Sequence, residues 1–171
     1  MTTRRAEVRD ATAIAAVHVG GWNETYRGVL PDEFLDAMTL QRRIAHWRQR
    51  LADPRCVTYV AGGARSVVGF ACGGAHEKPR PPYDAFLFHL YVLRSEHRRG
   101  IGRALLALVA RDLRERGLHG MQLTVLSTNP ARAFYEHLGA LHLATVTSHH
   151  GDAWCDCVYG WPDLTVLSSP R

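Results

Sequence analysis

Residues 86–106 read Phe86-Leu-Phe-His-Leu-Tyr-Val92, then Leu93-Arg-Ser-Glu-His-Arg-Arg-Gly-Ile-Gly-Arg103, then Ala104-Leu-Leu106. Phe86, Phe88, Leu90 and Val92 share one face of an extended segment, and Leu87, His89 and Tyr91 share the other. Both faces are mostly apolar, which predicts a strand covered on both sides. Arg98-Arg99-Gly100-Ile101-Gly102-Arg103 then opens a helix whose core stripe is Ile101, Leu105, Leu108 and Val109. Two glycines at a helix start, with arginines on both sides, let free backbone N–H groups close around an anion that the helix dipole and the guanidinium charges also favour. The expected ligand is a phosphate or pyrophosphate. The loop lacks the Gly-Lys-Ser/Thr of a Walker A sequence and is not the G-x-G-x-x-G dinucleotide fingerprint.

Upstream of this stretch, Arg4 to Val8 reads as a short strand. Asp10 is placed to cap a helix carrying Ile14, Val17, Gly21 and Trp22 at helical spacing, with a break near Gly28. Pro31 begins a turn, and Thr39 is placed to cap a second helix with Ile44, Trp47 and Leu51 on its buried stripe, ending at Asp53-Pro54. Val57 to Ala61 and Ser66 to Ala75 form a hairpin around Gly62-Gly63, and a Pro-rich, exposed linker from Glu77 to Asp84 leads to the central strand. Downstream, Arg111, Arg114 and Arg116 line the wet face of the central helix up to Gly117. Met121 to Leu126 is a strand, Pro130 to His137 a short helix, and Leu141 to Thr147 with Ala153 to Gly160 a final hairpin. The order is β-α-α-β-β-β-α-β-α-β-β, an α/β fold (α+β in some schemes).

The chain has 171 residues, 46% hydrophobic and 22% charged, which fits one domain, 1–171, with residues 161–171 as a loosely held tail. No signal-peptide pattern and no membrane-length apolar run appears, so the expectation is a soluble cytoplasmic protein with no membrane partner. Cys56, Cys72, Cys155 and Cys157 lack the C-x-x-C pairs of a structural zinc site and read as structural filler. His149-His150 beside Asp152 reads as a solvated turn, and no metal is expected. The net charge of +5 is spread along the chain and not gathered into one basic run, which argues against a nucleic-acid partner.

His97-Arg98-Arg99-Gly100-Ile101-Gly102 resembles the Q/R-x-x-G-x-G/A loop of the GNAT superfamily of N-acetyltransferases at every position except the first, where His97 replaces Gln or Arg. A second match, Val125 to Ala140, resembles the family's N-x-x-A-x-x-F-Y-E-x-L-G segment through Asn129, Arg132-Ala133-Phe134-Tyr135-Glu136 and Leu138-Gly139. Trp22, Tyr26 and Arg27-Gly28-Val29-Leu30-Pro31 resemble a W-x-x-x-Y-R-G-x-L-P segment of one branch of that superfamily.

The resemblance implies a mixed sheet in which a parallel pair splays to admit acetyl-CoA. It also implies acetyl transfer to a primary amine by direct attack in a ternary complex. The acceptor would be a small-molecule or peptide amine. The main chain of Leu90, Tyr91 and Val92 would pair with the pantetheine amides, Arg98, Arg99, Gly100, Ile101, Gly102 and Arg103 would hold the pyrophosphate, and Asn129 would touch the pantetheine arm. Tyr135 would stand by the thioester sulfur as general acid or hydrogen-bond donor. Trp22 and Tyr26 would lie on the acceptor side, or be plain i, i+4 packing partners on a helix. Dimerisation is common in such proteins, but no interface is legible in this chain.

Many relatives carry a glutamate base on the central strand, where this chain has Leu87. His89, two residues on and on the same face, has the unperturbed pKa for the task. A backbone-bonded core histidine is the ordinary alternative reading of His89, and Glu24 or a water chain stays open as the base. The rival functions are a catalytically silent acyl-CoA-binding module of the same fold and, more remotely, a nucleic-acid-binding module.

Overall fold

The structure, a computed structural model, describes residues 1–63, 66–148 and 151–167. Along the chain come β1 (Thr2–Arg5), α1 (Ala11–Tyr26), α2 (Asp32–Asp36), α3 (Leu40–Ala52), β2 (Cys56–Gly63), β3 (Ser66–Arg80) and β4 (Tyr83–Val92). They are followed by α4 (Ile101–Glu115), β5 (Gly120–Leu126), α5 (Ala131–His137), β6 (Leu141–Ser148) and β7 (Gly151–Trp161). The expected alternation is present, with the short α2 added after Pro31. The fold is α/β, with helices flanking one mixed seven-stranded sheet in the order β1-β2-β3-β4-β5-β7-β6. β4 and β5 run parallel, and α4 supplies the crossover that a parallel pair requires. Their pairing joins Tyr83, Ala85 and Phe86 to Gly120, Met121 and Gln122, and among the described residues no β4–β5 pair follows Phe86.

The chain forms two compact units, the first made of residues 1–73 and 89–109, the second of residues 74–88 and 110–171. In the first unit, α1 and α3 carry Ile14, Val17, His18 and Trp47 into a core shared with Val57, Val60 and Phe70, all of them buried. Thr39 caps α3, accepting the Arg42 N–H at 3.4 Å as expected. Asp10 does not cap α1 with its side chain. Its carboxylate is taken by the Glu7 N–H at 2.8 Å and by a fork of two Arg4 bonds at 2.7 Å, which hold its pKa below the usual value, with the Arg4 hydrogen bond as the largest cause. The first strand accordingly ends at Arg5, and Val8–Asp10 forms a 3₁₀ turn. Arg27 ties the end of α1 to α2, donating to Asn23 at 2.7 Å, Asp32 at 2.9 Å and Asp36 at 3.1 Å. Such exposed bonds contribute little each, and α2 is anchored mainly by Leu35, which is buried.

In the second unit, Leu113, Met121, Leu123, Tyr159, Trp161 and Leu164 form the core. The Trp161 indole N–H donates to the Leu138 carbonyl at 2.9 Å, and Arg132 bridges the Tyr159 hydroxyl at 3.0 Å and the Ser127 carbonyl at 2.8 Å. Two expectations change here. The segment from Glu77 to Asp84 is not a linker, because β3 continues through Arg80 and β4 starts at Tyr83. Its residues 77–82 are exposed as expected, which is where a strand tolerates Pro79. The tail does not loosen at Trp161, which ends β7 fully buried, and a 3₁₀ turn over Leu164–Leu167 buries both of those leucines. The His149-His150 pair lies outside the described residues, as does the Asp152 side chain. The four cysteines are free thiols, with Cys155 exposed and the other three buried. Among the described residues no helix is long and apolar enough to cross a membrane.

Candidate active site

β4 alternates as the sequence requires, and its two faces meet different neighbours. His89 and Tyr91 turn their rings into a cluster built from α1, α3 and β3. His89 lies 4.8 Å from His18, 5.2 Å from Trp47 and 6.2 Å from His46, and Tyr91 lies 4.9 Å from His18 and 5.7 Å from Phe70. The close approach of α1 depends on Gly21, where a Cβ would stand 2.8 Å from the Tyr91 ring. Within the cluster the Trp47 indole N–H donates to His18 Nδ1 at 3.1 Å, which leaves any proton of a neutral His18 on Nε2.

Burial and like charge act together on these histidines. His18 is pushed down to about 3, first by burial and then by Arg43 and His46. His89 is held well below its ordinary value by burial, with His18, Arg50, His46 and Arg43 adding to the effect. His46 is lowered by burial, then by Arg50 and Arg43. The cluster is therefore neutral at pH 7 in a cationic setting. Leu87, where a glutamate base would be sought from the sequence resemblance, is buried, and Glu24 is exposed.

At the end of β4 the Leu93 N–H bonds to the Val68 carbonyl at 2.8 Å, and the Tyr91 carbonyl lies against Gly69. Strand alternation then turns the main-chain groups of Leu90 and Val92 to the side away from β3. Of the three residues expected to offer their main chain to a ligand, Tyr91 thus has its carbonyl on the β3 side. The loop that follows folds on itself. The His97 Nε2 lies 2.9 Å from the Val92 carbonyl, and Arg99 bonds Glu96 at 2.5 Å. Arg98 has φ 62° and Gly100 φ 75°, both in the left-handed region that glycine adopts without penalty and arginine rarely does. The first bond of α4 runs from the Ala104 N–H to the Gly100 carbonyl at 3.0 Å, so the Ile101, Gly102 and Arg103 N–H groups precede the helical ladder. Arg98, Arg99 and Gly100 are exposed.

In the second unit Asn129 Oδ1 accepts the Ala131 N–H at 2.8 Å, closing the turn into α5. Tyr135, on α5, is buried, with its ring 5.4 Å from Phe134 and 6.1 Å from Trp161. Trp22 and Tyr26 pack with ring centroids 4.5 Å apart and tilted by 60° on α1, the i, i+4 arrangement, with Tyr26 buried. Reading the sequence singled out His89 but missed His18, Arg43 and His46. The only linear signal for them is the i, i+3 spacing of Arg43 and His46 and the i, i+4 spacing of His18 and Trp22, which the apolar stripes of the same helices hide.

Residues 21–140 match the family model described as the acetyltransferase (GNAT) family. The chain is 32% identical over 170 residues to the uncharacterised N-acetyltransferase YuaI of Bacillus subtilis strain 168, covering 99% of this chain and 97% of that protein. Among solved structures it resembles the PaiA N-acetyltransferase of Thermoplasma acidophilum in complex with coenzyme A. That likeness has TM-score 0.76 and 18% identity, over 93% of this chain and 96% of that one. It also resembles an N-acetyltransferase of Staphylococcus aureus Mu50, with TM-score 0.73 and 24% identity over 95% and 98% of the two chains.

Proposed function

Because the chain belongs to the GNAT acetyltransferase family, we propose that it transfers an acetyl group from acetyl-CoA to a primary amine by direct attack in a ternary complex. The observation that carries this reading is the backbone before α4. Two left-handed residues, Arg98 and Gly100, lead into a helix start whose leading N–H groups suit a pyrophosphate, with Arg98, Arg99 and Arg103 supplying charge. The coenzyme A complex of the Thermoplasma relative supports the same ligand. The Leu90 main chain and the Val92 N–H, turned away from β3, would offer strand-like pairing to the pantetheine amides, with Tyr91 between them and Asn129 contributing to the arm's binding. Bound acetyl-CoA supplies the activated acyl group as a thioester.

The acceptor amine must be neutral to attack. A lysine-like amine with a pKa of about 10.4 is only on the order of one part in a thousand neutral at pH 7. The burial and positive charge that lower His18, His46 and His89 would lower an amine placed among them by the same physics. His89, kept in its neutral form, is then a hydrogen-bond acceptor able to take the amine's proton. The same environment opposes protonation of His89, so what it gives the reaction is a larger neutral fraction of the amine. Trp22 and Tyr26 would border the acceptor. A Val92 N–H facing the reacting carbonyl would stabilise the charge that develops on its oxygen, and the Tyr135 hydroxyl would donate to the departing sulfur.

Tyr135→Phe tests this directly, because the ring and its packing on Phe134 and Trp161 are kept and only the hydroxyl is lost. We expect kcat to fall by about 10²- to 10⁴-fold with the acetyl-CoA Kd nearly unchanged. An unchanged kcat, with chemistry shown to be rate-limiting, would remove Tyr135 from the mechanism.

A further inference from the structure

Arg43 is half-buried on α3, and its Nε is buried with no hydrogen-bond partner among the described residues. Among the described residues no carboxylate forms an ion pair with it. Burial lowers its pKa, and among the described residues Tyr91 is the one group that acts in the opposite direction. One turn along the same helix, His46 Nε2 is also buried without a partner. Among the described residues, the permanent charges that act on His18, His46 and His89 are those of Arg43 and Arg50, both positive. Other partly buried arginines of the chain are compensated: Arg4 forks onto Asp10, and Arg116 bonds Asp112 at 2.6 Å. A buried guanidinium with an unsatisfied N–H and no counter-charge is costly. Two orphaned nitrogens on one face of one helix, beside the proposed base, describe a place built for an anion.

We propose that the acceptor carries an anionic group next to its amine, a carboxylate or a phosphate, and that Arg43 and His46 bind that group. The Arg43 guanidinium donates through Nε, and His46 donates through Nε2 in the tautomer that carries its proton there. The acceptor class is thus small acidic amines, of which free α-amino acids are the simplest, and not polyamines, whose second cation would meet Arg43. This inference rests on the acetyl-transfer reading and refines its acceptor.

The test compares glycine, alanine, phenylalanine and glutamate with their primary amides, and O-phosphoethanolamine with ethanolamine, as acceptors for CoA release from acetyl-CoA. Putrescine serves as the dicationic control. Amides have the less basic amine, so chemistry alone favours them at neutral pH, and a preference for the acids must come from the site. At least one acid should exceed its uncharged partner by about 10- to 100-fold in kcat/KM, the size of a charged hydrogen bond. The carboxylate and phosphate arms tell the two anions apart.

In Arg43→Gln the preference should collapse while the acetyl-CoA Kd stays put and Tm holds or rises, because an uncompensated buried charge has been removed. Amides or putrescine used as well as the acids, or a preference that survives in Arg43→Gln, would overturn the inference and leave acetyl transfer standing. A fall in the variant's Tm accompanied by lost acetyl-CoA binding would make Arg43 structural and overturn it equally. Calorimetric binding of the N-acetylated amino acids and their amides at saturating CoA separates the remaining outcomes. Arg43-dependent binding of the acids without turnover of any amine would uphold the anion site and sink the acetyltransferase reading, and neither binding nor turnover would sink both.

Discussion

The loop before α4 and the ring cluster between α1, α3, β3 and β4 both contain arginine, and they use it in opposite ways. In the loop, Arg98 and Arg99 are exposed, Arg99 is paired with Glu96, and the backbone turns left-handed at Arg98 and Gly100. In the cluster, Arg43 is half-buried, its Nε has no hydrogen-bond partner among the described residues, and its charge adds to the burial that keeps His18, His46 and His89 neutral. Exposed charge is screened and inexpensive to place, so it steers a ligand without setting stability. Buried charge is costly to place and strong where it acts, so it shapes both the chemistry and the stability of its surroundings.

Acid should separate the two regions most. The folded pKa of His18, about 3, lies below its unfolded value near 6.5, so the unfolded chain binds the extra proton. Stability from this group is complete above about pH 6.5 and is lost as pH falls toward 3, to a ceiling of about 5 kcal/mol at 1.36 kcal/mol per unit. His89, lowered by burial, adds in the same direction. The urea midpoint should fall across that window, and a midpoint that is flat from pH 7 to pH 4 would show the cluster to be solvated like the loop. Next in size, Trp47→Ala removes a fully buried ring that touches His18, His46, Phe70 and His89. We expect a loss of about 3–5 kcal/mol by chemical denaturation. A loss below 1 kcal/mol would mean that the cluster is not packed as described.

Loop substitutions should cost less stability and more ligand affinity. Gly100→Val forces a branched side chain to φ 75°, for about 1–2 kcal/mol of strain, and should abolish the rise in Tm that acetyl-CoA produces in the wild-type protein. Retained stabilisation by acetyl-CoA would remove that backbone from the binding site. Arg98→Ala should change stability by no more than about 0.5 kcal/mol while weakening acetyl-CoA binding and flattening its dependence on salt. An unchanged salt dependence would show that Arg98 does not face the phosphates.

Legibility followed the same division. The loop could be read because its features are local: glycine spacing, flanking arginines and the switch from alternation to a helical stripe all lie within residues 86–106. α3 was legible as a helix, since its cap at Thr39 and its stripe through Trp47 are local too. Three misplacements arose where a local rule met a tertiary competitor. Asp10 is a good capping residue, but Arg4 and the Glu7 N–H claim its carboxylate. The prolines around Pro79 to Pro82 are breakers by themselves, yet β3 reaches Arg80 and β4 starts at Tyr83. Trp161 read as the start of a tail, although Met121 pairs with it and its indole bonds the Leu138 carbonyl.

The sequence by itself determined the order of elements, the helix start that suits a pyrophosphate and the spacing of Asn129 and Tyr135, because each depends on residues within a turn or two of one another. It also determined that no glutamate stands at Leu87. Only the tertiary structure decided what surrounds His89. His18, Arg43, His46, Phe70 and His89 come from two helices and two strands, and their protonation depends on distance and burial, which no linear pattern encodes. The same arginine on an exposed helix face would be solvated and would leave its neighbours alone. Beside buried His18 and half-buried His46 and His89, with no carboxylate paired to it among the described residues, it adds to the burial that lowers all three.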